Sequence, residues 1–163
     1  MTAKATRLRH VGRARFHVAL ATAAALVMGG PVAAQHVVDG DTIKLDGVIY
    51  QLHGIDAPET PQICADGWPA GYEAEEYLGR LIDGKHISCI GISRNGDGES
   101  VAICNADGVD LGAAMVTGGY AFAFVPYSAR YISQEDAAMS ARRGVHGHHC
   151  LAPWKWRAHL KRG

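Results

Sequence analysis

Acidic side chains are concentrated in one stretch of the chain, DGDTIKLDGVIYQLHGIDAPET, which spans residues 39–60. Carboxylates that converge in a folded protein repel one another unless a cation lies between them. Oxygen ligands favour a hard cation, Ca²⁺ or Mg²⁺, over zinc, and a carboxylate that is not a ligand can take a proton from a bound water. Taken singly, each of these aspartates also suits an Asx-type turn. The joint pattern favours a metal site with a general base, built from Asp39, Asp41, Asp56 and Glu59.

A predicted β-hairpin explains how these carboxylates meet. Residues 42–52 alternate apolar and polar side chains on either side of an Asp-Gly pair, which is a strong two-residue turn pattern. Asp41 would open the first strand and Asp56 would follow the end of the second, so both belong at the same end of the sheet. Glu59 comes one loop turn later, after Pro58, which cannot extend a strand ladder.

The remaining elements predict an α+β domain. Apolar periodicity, turn residues and caps divide residues 68–144 into helices and strands. The predicted helices are Trp68–Asp83, a second that begins after Asp110 as N-cap and ends at Gly118–Gly119, and a third that runs from Ser133, as cap, to Gly144. The predicted strands are Lys85–Ile92, Ser100–Ala106 and Tyr120–Val125. Together with the hairpin they suit a small Greek-key barrel covered by helices, and the tail from residue 145 receives no assignment.

The first 34 residues have the composition of a secretory signal peptide. A basic start without acids precedes the apolar run Phe16–Met28, and Val32 and Ala34 occupy the −3 and −1 positions of a cleavage site. An uncleaved membrane anchor is the alternative, although this run is short for a span, which needs about 20 residues. We therefore predict a periplasmic or secreted domain over residues 35–163, with no membrane association once the leader is removed.

The predicted mature chain is acidic. The whole sequence carries 16 Lys and Arg and 16 Asp and Glu, and the leader holds 5 of the bases and none of the acids. The mature part therefore has a formal charge of −5. Tight, sequence-independent binding to nucleic acid through counterion release needs the opposite sign, so the charge argues against it.

All four cysteines, Cys64, Cys89, Cys104 and Cys150, lie in the predicted mature part. An even number of cysteines in an exported chain is typical of disulfides, and four cysteines allow three pairings. Cys89 with Cys104 is favoured because both fall on predicted strands that face each other across a Gly-rich turn, and Cys64 with Cys150 follows by elimination. Free thiols or a zinc site are the alternatives, and the absence of a CxxC pair disfavours zinc.

The motifs DGDT and GIDAPET, followed by a helix and a glycine-containing hairpin, resemble those of the staphylococcal-nuclease-like (thermonuclease) family. The resemblance covers residues 36–143, nearly all of the predicted mature chain. It implies a five-stranded OB-type Greek-key β-barrel with three helices. It also implies Ca²⁺-dependent cleavage of phosphodiester bonds in DNA or RNA.

The resemblance also assigns a role to each residue of the acidic stretch. Asp41 and Asp56 would be the calcium carboxylates, and Ala57 would offer its backbone carbonyl. Asp39 would lie in the outer shell of the ion. Glu59 would be the general base that activates the attacking water.

Two positions depart from the family pattern. The family places one arginine five residues before the second calcium aspartate and another in the hairpin turn, and here these positions are Gln51 and Glu99. An arginine fork binds two phosphate oxygens at once, and the loss of one well-placed donor typically costs about 10²–10³ in rate. Arg94 or Lys44 would have to compensate, although both are typical of surface charges. We therefore expect the site to lack its guanidinium groups.

Two functions follow from this balance of charges. One is a Ca²⁺-dependent phosphodiesterase whose activity is weak or lost, with weak binding of single-stranded DNA or RNA. The alternative is a non-catalytic OB-fold binding module of the cell envelope that binds a metal, a nucleotide or a protein partner. The carboxylates favour the first function, whereas Gln51, Glu99 and the acidic mature chain favour the second.

The tail contains two further patterns. The segment GVHGHHC includes His146–His149 and would suit Zn²⁺ or Cu²⁺. A loop pinned by a disulfide at Cys150 is favoured, because no matching ligand pair stands elsewhere. Trp154 and Trp156, in a basic context that includes Arg157, would suit stacking on single-stranded nucleic acid. Packing against the barrel is favoured for the tryptophans, with the final cations of the tail solvated.

Overall fold

A computed structural model describes residues 35–162, so the predicted signal peptide lies outside the described residues. The strands are β1 (Gln35–Asp39), β2 (Thr42–Leu45), β3 (Val48–Leu52), β4 (Ile55–Asp56), β5 (Ile87–Arg94), β6 (Ser100–Ala106), β7 (Val109–Asp110) and β8 (Phe122–Ala123). The helices are α1 (Ala70–Ile82), α2 (Leu111–Gly118), α3 (Ile132–Ser140) and α4 (Pro153–Leu160), with a 3₁₀ helix at Gly144–His146. This mixture is the predicted α+β class.

The larger sheet carries the acidic stretch. Its strand order is β1-β2-β3-β6-β5, with β7 paired to β6. Strands β3 and β6 run parallel, whereas the other neighbours in this sheet are antiparallel. The parallel pair arises because the chain crosses through α1 and β5 before it returns as β6, as in a partly open Greek-key barrel of the OB type. No strand pair within residues 35–162 joins β5 to β1.

The hairpin of β2 and β3 forms as predicted. Asp46 and Gly47 have φ values of 49° and 85°, and a type I′ turn needs a positive φ at both of its central positions. The register sets Thr42 opposite Gln51. Since Thr42 follows Asp41 directly, the hairpin brings Gln51 to the acidic end of the sheet.

The second, smaller sheet pairs β4 with β8. Asp56 lies opposite Phe122 in this pair. The strand predicted over Tyr120–Val125 is thus reduced to two residues. On one side of it, the backbone N–H of Tyr120 donates to the carbonyl of Met115 in α2. On the other side, the carbonyl of Phe124 accepts from two later N–H groups in a tight turn.

The core lies between the larger sheet and the helices α1 and α2. Helix α1 begins two residues later than predicted and buries Ala74, Leu78 and Ile82 at helical spacing. Apolar side chains of the sheet and of α2 meet this face. Fully buried examples are Ile43, Leu52, Leu111, Met115 and Val116.

Helix α2 has the predicted N-cap. The side chain of Asp110 accepts a hydrogen bond from the backbone N–H of Ala113 at 3.0 Å, which satisfies one free donor of the first turn. The same carboxylate accepts from the Tyr131 hydroxyl at 3.0 Å. Gly119 ends the helix with a φ of 78°, where glycine is favoured.

Helix α3 differs from its prediction. It begins at Ile132 without a side-chain cap and ends at Ser140. The hydroxyl of Ser133 donates to the side chain of Gln134 instead, so the predicted cap at Ser133 is wrong. The end predicted at Gly144 is also wrong, because a separate 3₁₀ turn begins there.

The tail forms a fourth helix, which the sequence did not predict. Buried Pro153 stands at the first position of α4, where its missing N–H costs nothing. Trp154 packs against Phe122 and Phe124, with ring centroids 5.8 and 5.3 Å apart, as expected for a tryptophan that covers the barrel. Among residues 35–162, the helices are all too short or too polar to cross a bilayer.

The cysteines lie in the two pairs that the sequence favours. Cys89 faces Cys104 across β5 and β6, with their Cα atoms 4.0 Å apart. Cys64 lies beside Cys150 with a Cα separation of 4.6 Å. The first pair staples neighbouring strands, whereas the second ties the loop after Glu59 to the start of α4.

Candidate functional site

Asp41 is a buried carboxylate at the start of β2, with 8% of its surface exposed. One of its oxygens accepts from the Thr42 hydroxyl at 3.0 Å. The other accepts from the backbone N–H of Ala57 at 3.1 Å. This second bond joins the DGDT motif to the GIDAPET motif, so the two motifs position Asp41 together.

Asp39 supports Asp41 from the preceding turn. Its Oδ1 accepts from the backbone N–H of Asp41 at 3.1 Å. The pairing of β1 with β2 is irregular between Val37 and Asp39, and such a bulge re-aims the chain at the end of a strand. Asp39 therefore lies beside the site and holds the backbone of a central carboxylate.

Asp56 is positioned by strand pairing, whereas Glu59 is positioned by a hydrogen-bonded turn. Backbone pairing in the small sheet fixes Asp56, which is 7% exposed. Glu59 lies in a turn in which its carbonyl accepts from the N–H of Gln62 at 2.7 Å. The side chain of Gln62 accepts in return from the N–H of Glu59 at 3.4 Å. Glu59 thus reaches the site from a braced turn, half-buried at its edge.

A guanidinium joins these two carboxylates. Arg157, in α4, donates from Nη1 to Asp56 Oδ1 at 3.0 Å and from Nη2 to Asp56 Oδ2 at 2.7 Å. Its Nη1 also donates to Glu59 Oε1 at 2.5 Å. One guanidinium therefore lies at the site although positions 51 and 99 carry none, whereas the final cations of the tail, Lys161 and Arg162, are exposed as expected. Arg157 escaped sequence reasoning because it lies 101 residues from Asp56, in a tail without a predicted element.

Gln51 and Glu99 form another wall of the site and share a partner. The side-chain amide of Asn95 donates to Glu99 Oε2 at 2.9 Å and to Gln51 Oε1 at 3.3 Å. Arg94 lies beside this wall, and its Nη1 donates to the carbonyl of Gly98 in its own turn at 2.7 Å. The structure thus brings together the two positions at which the resemblance expected arginines, and a neutral amide links them.

These side chains line one cavity of about 440 Å³. Its carboxylates are Asp39, Asp41, Asp56, Glu59, Asp97 and Glu99, and its cations are Arg94 and Arg157. Lys44 does not line it. The six carboxylates and two arginines leave an excess of four negative charges, which repels a phosphodiester. A bound cation would offset this repulsion.

The two buried aspartates, Asp41 and Asp56, both have raised pKa values. Burial raises the pKa of Asp41 well above its usual range, and the charges of Asp39 and Asp56 raise it further, whereas the hydrogen bond from Ala57 lowers it. Burial also raises the pKa of Asp56, although the hydrogen bond and charge of Arg157 act in the opposite direction. Both carboxylates would be stabilised in their ionised form by a nearby cation.

The donors at this end of the sheet fit a hard cation by type and charge. Carboxylates of Asp41 and Asp56 and the carbonyl of Ala57 are the oxygen ligands that Ca²⁺ takes. In the part of the chain that the structure describes, no three His, Cys, Asp or Glu side chains are arranged as a metal site. Arg157 now holds both oxygens of Asp56. A cation at Asp56 would therefore compete with the guanidinium for these oxygens.

The His-rich segment of the tail does not line this cavity. His148 stacks on Trp68 with a centroid distance of 4.5 Å, and its Nδ1 lies 2.8 Å from Asp66 Oδ2. His146 packs edge-on against Phe122. These side chains contact a smaller apolar cluster, which consists of Phe122, Val145 and Ala152 with Trp68, Cys150 and Trp154 packed against them.

Comparison with known proteins identifies a matching family and two similar proteins. Residues 50–146 match the family model described as staphylococcal nuclease homologue, and this match confirms the OB-type barrel with helices. "Succinoglycan biosynthesis protein ExoI" of Rhizobium meliloti (strain 1021) is 33% identical over 91 residues, which cover 52% of this chain and 48% of that protein. "Probable staphylococcal-like nuclease CAN1" of Oryza sativa subsp. japonica is 30% identical over 127 residues, which cover 76% of this chain and 37% of that protein. The chain thus spans less than half the length of both curated relatives.

Proposed function

Because the chain belongs to the staphylococcal nuclease homologue family, we propose that it is an exported, Ca²⁺-dependent phosphodiesterase that cleaves single-stranded DNA or RNA slowly. One observation carries this proposal: Asp41, Asp56 and Glu59 line the same cavity. Export is supported by the basic and apolar composition of the first 34 residues.

The residues of the cavity divide the work between binding and proton transfer. Asp41, Asp56 and the carbonyl of Ala57 would hold Ca²⁺, which when bound stabilises negative charge on the phosphate as a Lewis acid. Glu59 would accept the proton of the attacking water at a carboxylate oxygen. Its half-buried position gives it access both to solvent and to the two aspartates.

The expected rate is low because of the residues at positions 51 and 99. Gln51 can donate a hydrogen bond to a phosphate oxygen but adds no charge, and Glu99 repels the phosphate. Losing one well-placed donor of this kind costs about 10²–10³ in rate. Losing two would cost on the order of 10⁴–10⁶ if the effects multiplied, and the combined loss of residues that act together falls short of that product.

Digestion of heat-denatured DNA by the purified mature chain tests this function. We expect slow cutting that needs Ca²⁺, stops with a chelator and is lost in Glu59→Gln. The control Glu76→Gln makes the same chemical change at an exposed position of α1, and it should cut as the wild type does. Cutting that survives a chelator, or that survives Glu59→Gln, would contradict the proposal.

The wall formed by Gln51, Asn95 and Glu99 favours a second candidate, a non-catalytic binding module of the cell envelope. This wall carries a carboxylate and two amides, a set that suits hydrogen bonding better than charge stabilisation. The module would show Ca²⁺-dependent binding of a labelled oligonucleotide without cutting at any protein concentration. Its binding is measured in the same samples by fluorescence anisotropy.

A further inference from the structure

We propose that Arg157 is the phosphate-binding residue of this site, and that its fork exchanges the oxygens of Asp56 and Glu59 for those of a substrate phosphodiester. Helix α4 would thereby supply the guanidinium that positions 51 and 99 lack. The proposal rests on the proposed function. It also goes beyond the family match, which ends at residue 146, before α4 begins.

The geometry at Asp56 is already that of phosphate recognition. The two terminal nitrogens of Arg157 each meet one oxygen of Asp56, at 3.0 and 2.7 Å. A phosphodiester presents two such oxygens to the same planar fork. The carboxylate of Asp56 therefore stands where a phosphate group can be bound by two parallel hydrogen bonds.

Helix α4 is fixed against the turn that carries Glu59. The disulfide between Cys64 and Cys150 joins the loop after this turn to the residues before the helix. Gln62, which is 1% exposed, donates from Nε2 to the carbonyl of Leu151 at 2.7 Å. Gln62 also accepts from the N–H of Glu59. One buried side chain therefore links the turn that carries Glu59 to the residues just before α4.

The arginine side chain, in contrast to its helix, has room to change partners. Arg157 is 41% exposed, whereas the side chain of its partner Asp56 is 9% exposed. A cation bound to Asp56 would compete with the fork for the oxygens that it now uses and would weaken its hold there. The guanidinium is then left at the mouth of an acidic cavity, next to Glu59, where an entering phosphate is the nearest new acceptor.

A purely structural ion pair would behave differently. If Arg157 only neutralised Asp56 and Glu59, Arg157→Lys, which keeps the charge, would bind the oligonucleotide as tightly as wild type does. If it binds phosphate, its removal weakens oligonucleotide binding and at the same time frees Asp56 for Ca²⁺. If the substitution instead disrupts the local structure, which is the third possibility, both oligonucleotide binding and Ca²⁺ binding become weaker. Two titrations therefore separate the three cases.

The first titration uses a fluorescein-labelled single-stranded oligonucleotide with Ca²⁺, in the Glu59→Gln background so that cutting does not interfere. Arg157→Ala should weaken binding by about 10- to 100-fold, the range of hydrogen bonds to a charged group. Arg157→Lys keeps the charge without the fork and should fall between. The control Lys155→Ala changes an exposed cation of the same helix and should bind like its parent.

The second titration uses Ca²⁺ alone, measured by calorimetry on the chain with Glu59 intact. Arg157→Ala should bind Ca²⁺ several-fold more tightly than wild type, because no guanidinium competes for Asp56. Thermal unfolding of each variant checks that it is folded, and Arg157→Gln serves if Arg157→Ala is not. Unchanged or tighter oligonucleotide binding in Arg157→Ala would overturn the inference.

The two proposals can fail separately. A chain that binds the oligonucleotide through Arg157 but never cuts DNA contradicts the proposed function and leaves this inference standing. A chain that cuts with Ca²⁺ and loses neither binding nor cutting in Arg157→Ala contradicts this inference alone.

Discussion

Gly71, near the start of α1, packs directly against the backbone of Glu59. A Cβ atom added to Gly71 would overlap the carbonyl group of Glu59 and the Cα atom of Thr60. The N–H of Gly71 also donates to the carbonyl of Gln62 at 3.2 Å, so the helix and the turn form one unit. The absence of a side chain at Gly71 therefore decides where the carboxylate of Glu59 can lie.

Gly71→Ala should displace this turn. We expect a loss of about 1–3 kcal/mol in the free energy of unfolding, the usual cost of overpacking, and a fall in kcat as Glu59 moves. Urea unfolding and DNA digestion measure the two effects. Gly91→Ala in β5 is the control, because a Cβ there meets no atom within 4 Å. Equal stability and activity in the two variants would show that the close approach has no consequence.

Asp41→Asn should stabilise the metal-free protein at neutral pH. Burial first, and then its acidic neighbours, raise the pKa of Asp41 in the folded state above the unfolded value of about 3.9. Such a group's contribution to stability is complete below the unfolded pKa and is lost as the pH rises through the folded pKa. Asparagine avoids this loss, and it can still accept from Ala57 and donate to the Thr42 hydroxyl.

The test of Asp41→Asn is urea unfolding from acidic to neutral pH in chelator. We expect the variant to gain about 1–3 kcal/mol near neutrality, the range for an uncompensated buried polar group, and the gain to disappear at acidic pH. Added Ca²⁺ should stabilise the wild type more than the variant. Asp46→Asn, in the exposed turn of the hairpin, is the control, and an equal gain there would refute the argument from burial.

Restoring the arginines should raise activity. The double change Gln51→Arg with Glu99→Arg places two forks on the wall of the cavity and turns its charge excess from four negative to one negative. An increase of at least about 10² in kcat is expected, the worth of one good donor. Glu76→Arg makes outside the cavity the same charge change that Glu99→Arg makes within it, and it should have no such effect. A double variant no faster than wild type would mean that the absence of arginines at positions 51 and 99 does not limit the rate.

The two disulfides should differ in what they do for the site. Replacing Cys64 and Cys150 by serine opens a link between residues 86 positions apart and should cost about 2–5 kcal/mol of stability. It should also weaken oligonucleotide binding, because α4 carries Arg157. Replacing Cys89 and Cys104 should lower stability and spare binding. Thermal unfolding and anisotropy measure both effects, and equal binding losses would count against a role for α4.

Local patterns could be predicted from the sequence because their physical causes are local. The turn at Asp46 and Gly47 needs two positive φ values, which this pair tolerates. The cap at Asp110 needs one acceptor within reach of the third N–H of the helix. The convergence of Asp41 with Asp56 follows from the hairpin and the short strand after it. In these cases neighbours along the chain carry the information.

The missed features depend on partners that are distant in sequence. Arg157 contacts Asp56 only because α4 packs on Phe122 and is tied to the loop at Cys64. No spacing within the tail points to that contact. Likewise, α3 begins at Ile132 rather than after a cap at Ser133, because the preceding Tyr131 is anchored by Asp110. Tertiary packing outweighs the local preference for a cap in that helix.

The amide of Asn95 makes positions 51 and 99 mutually dependent in evolution. Gln51→Arg, if it came first, would meet the carboxylate of Glu99 and gain an ion pair. Glu99→Arg, if it came first, would leave the amide of Asn95 with Gln51 as its remaining acceptor and set a cation against its N–H groups. The effects of the two substitutions are therefore coupled, and Gln51→Arg should be tolerated better as a single change than Glu99→Arg.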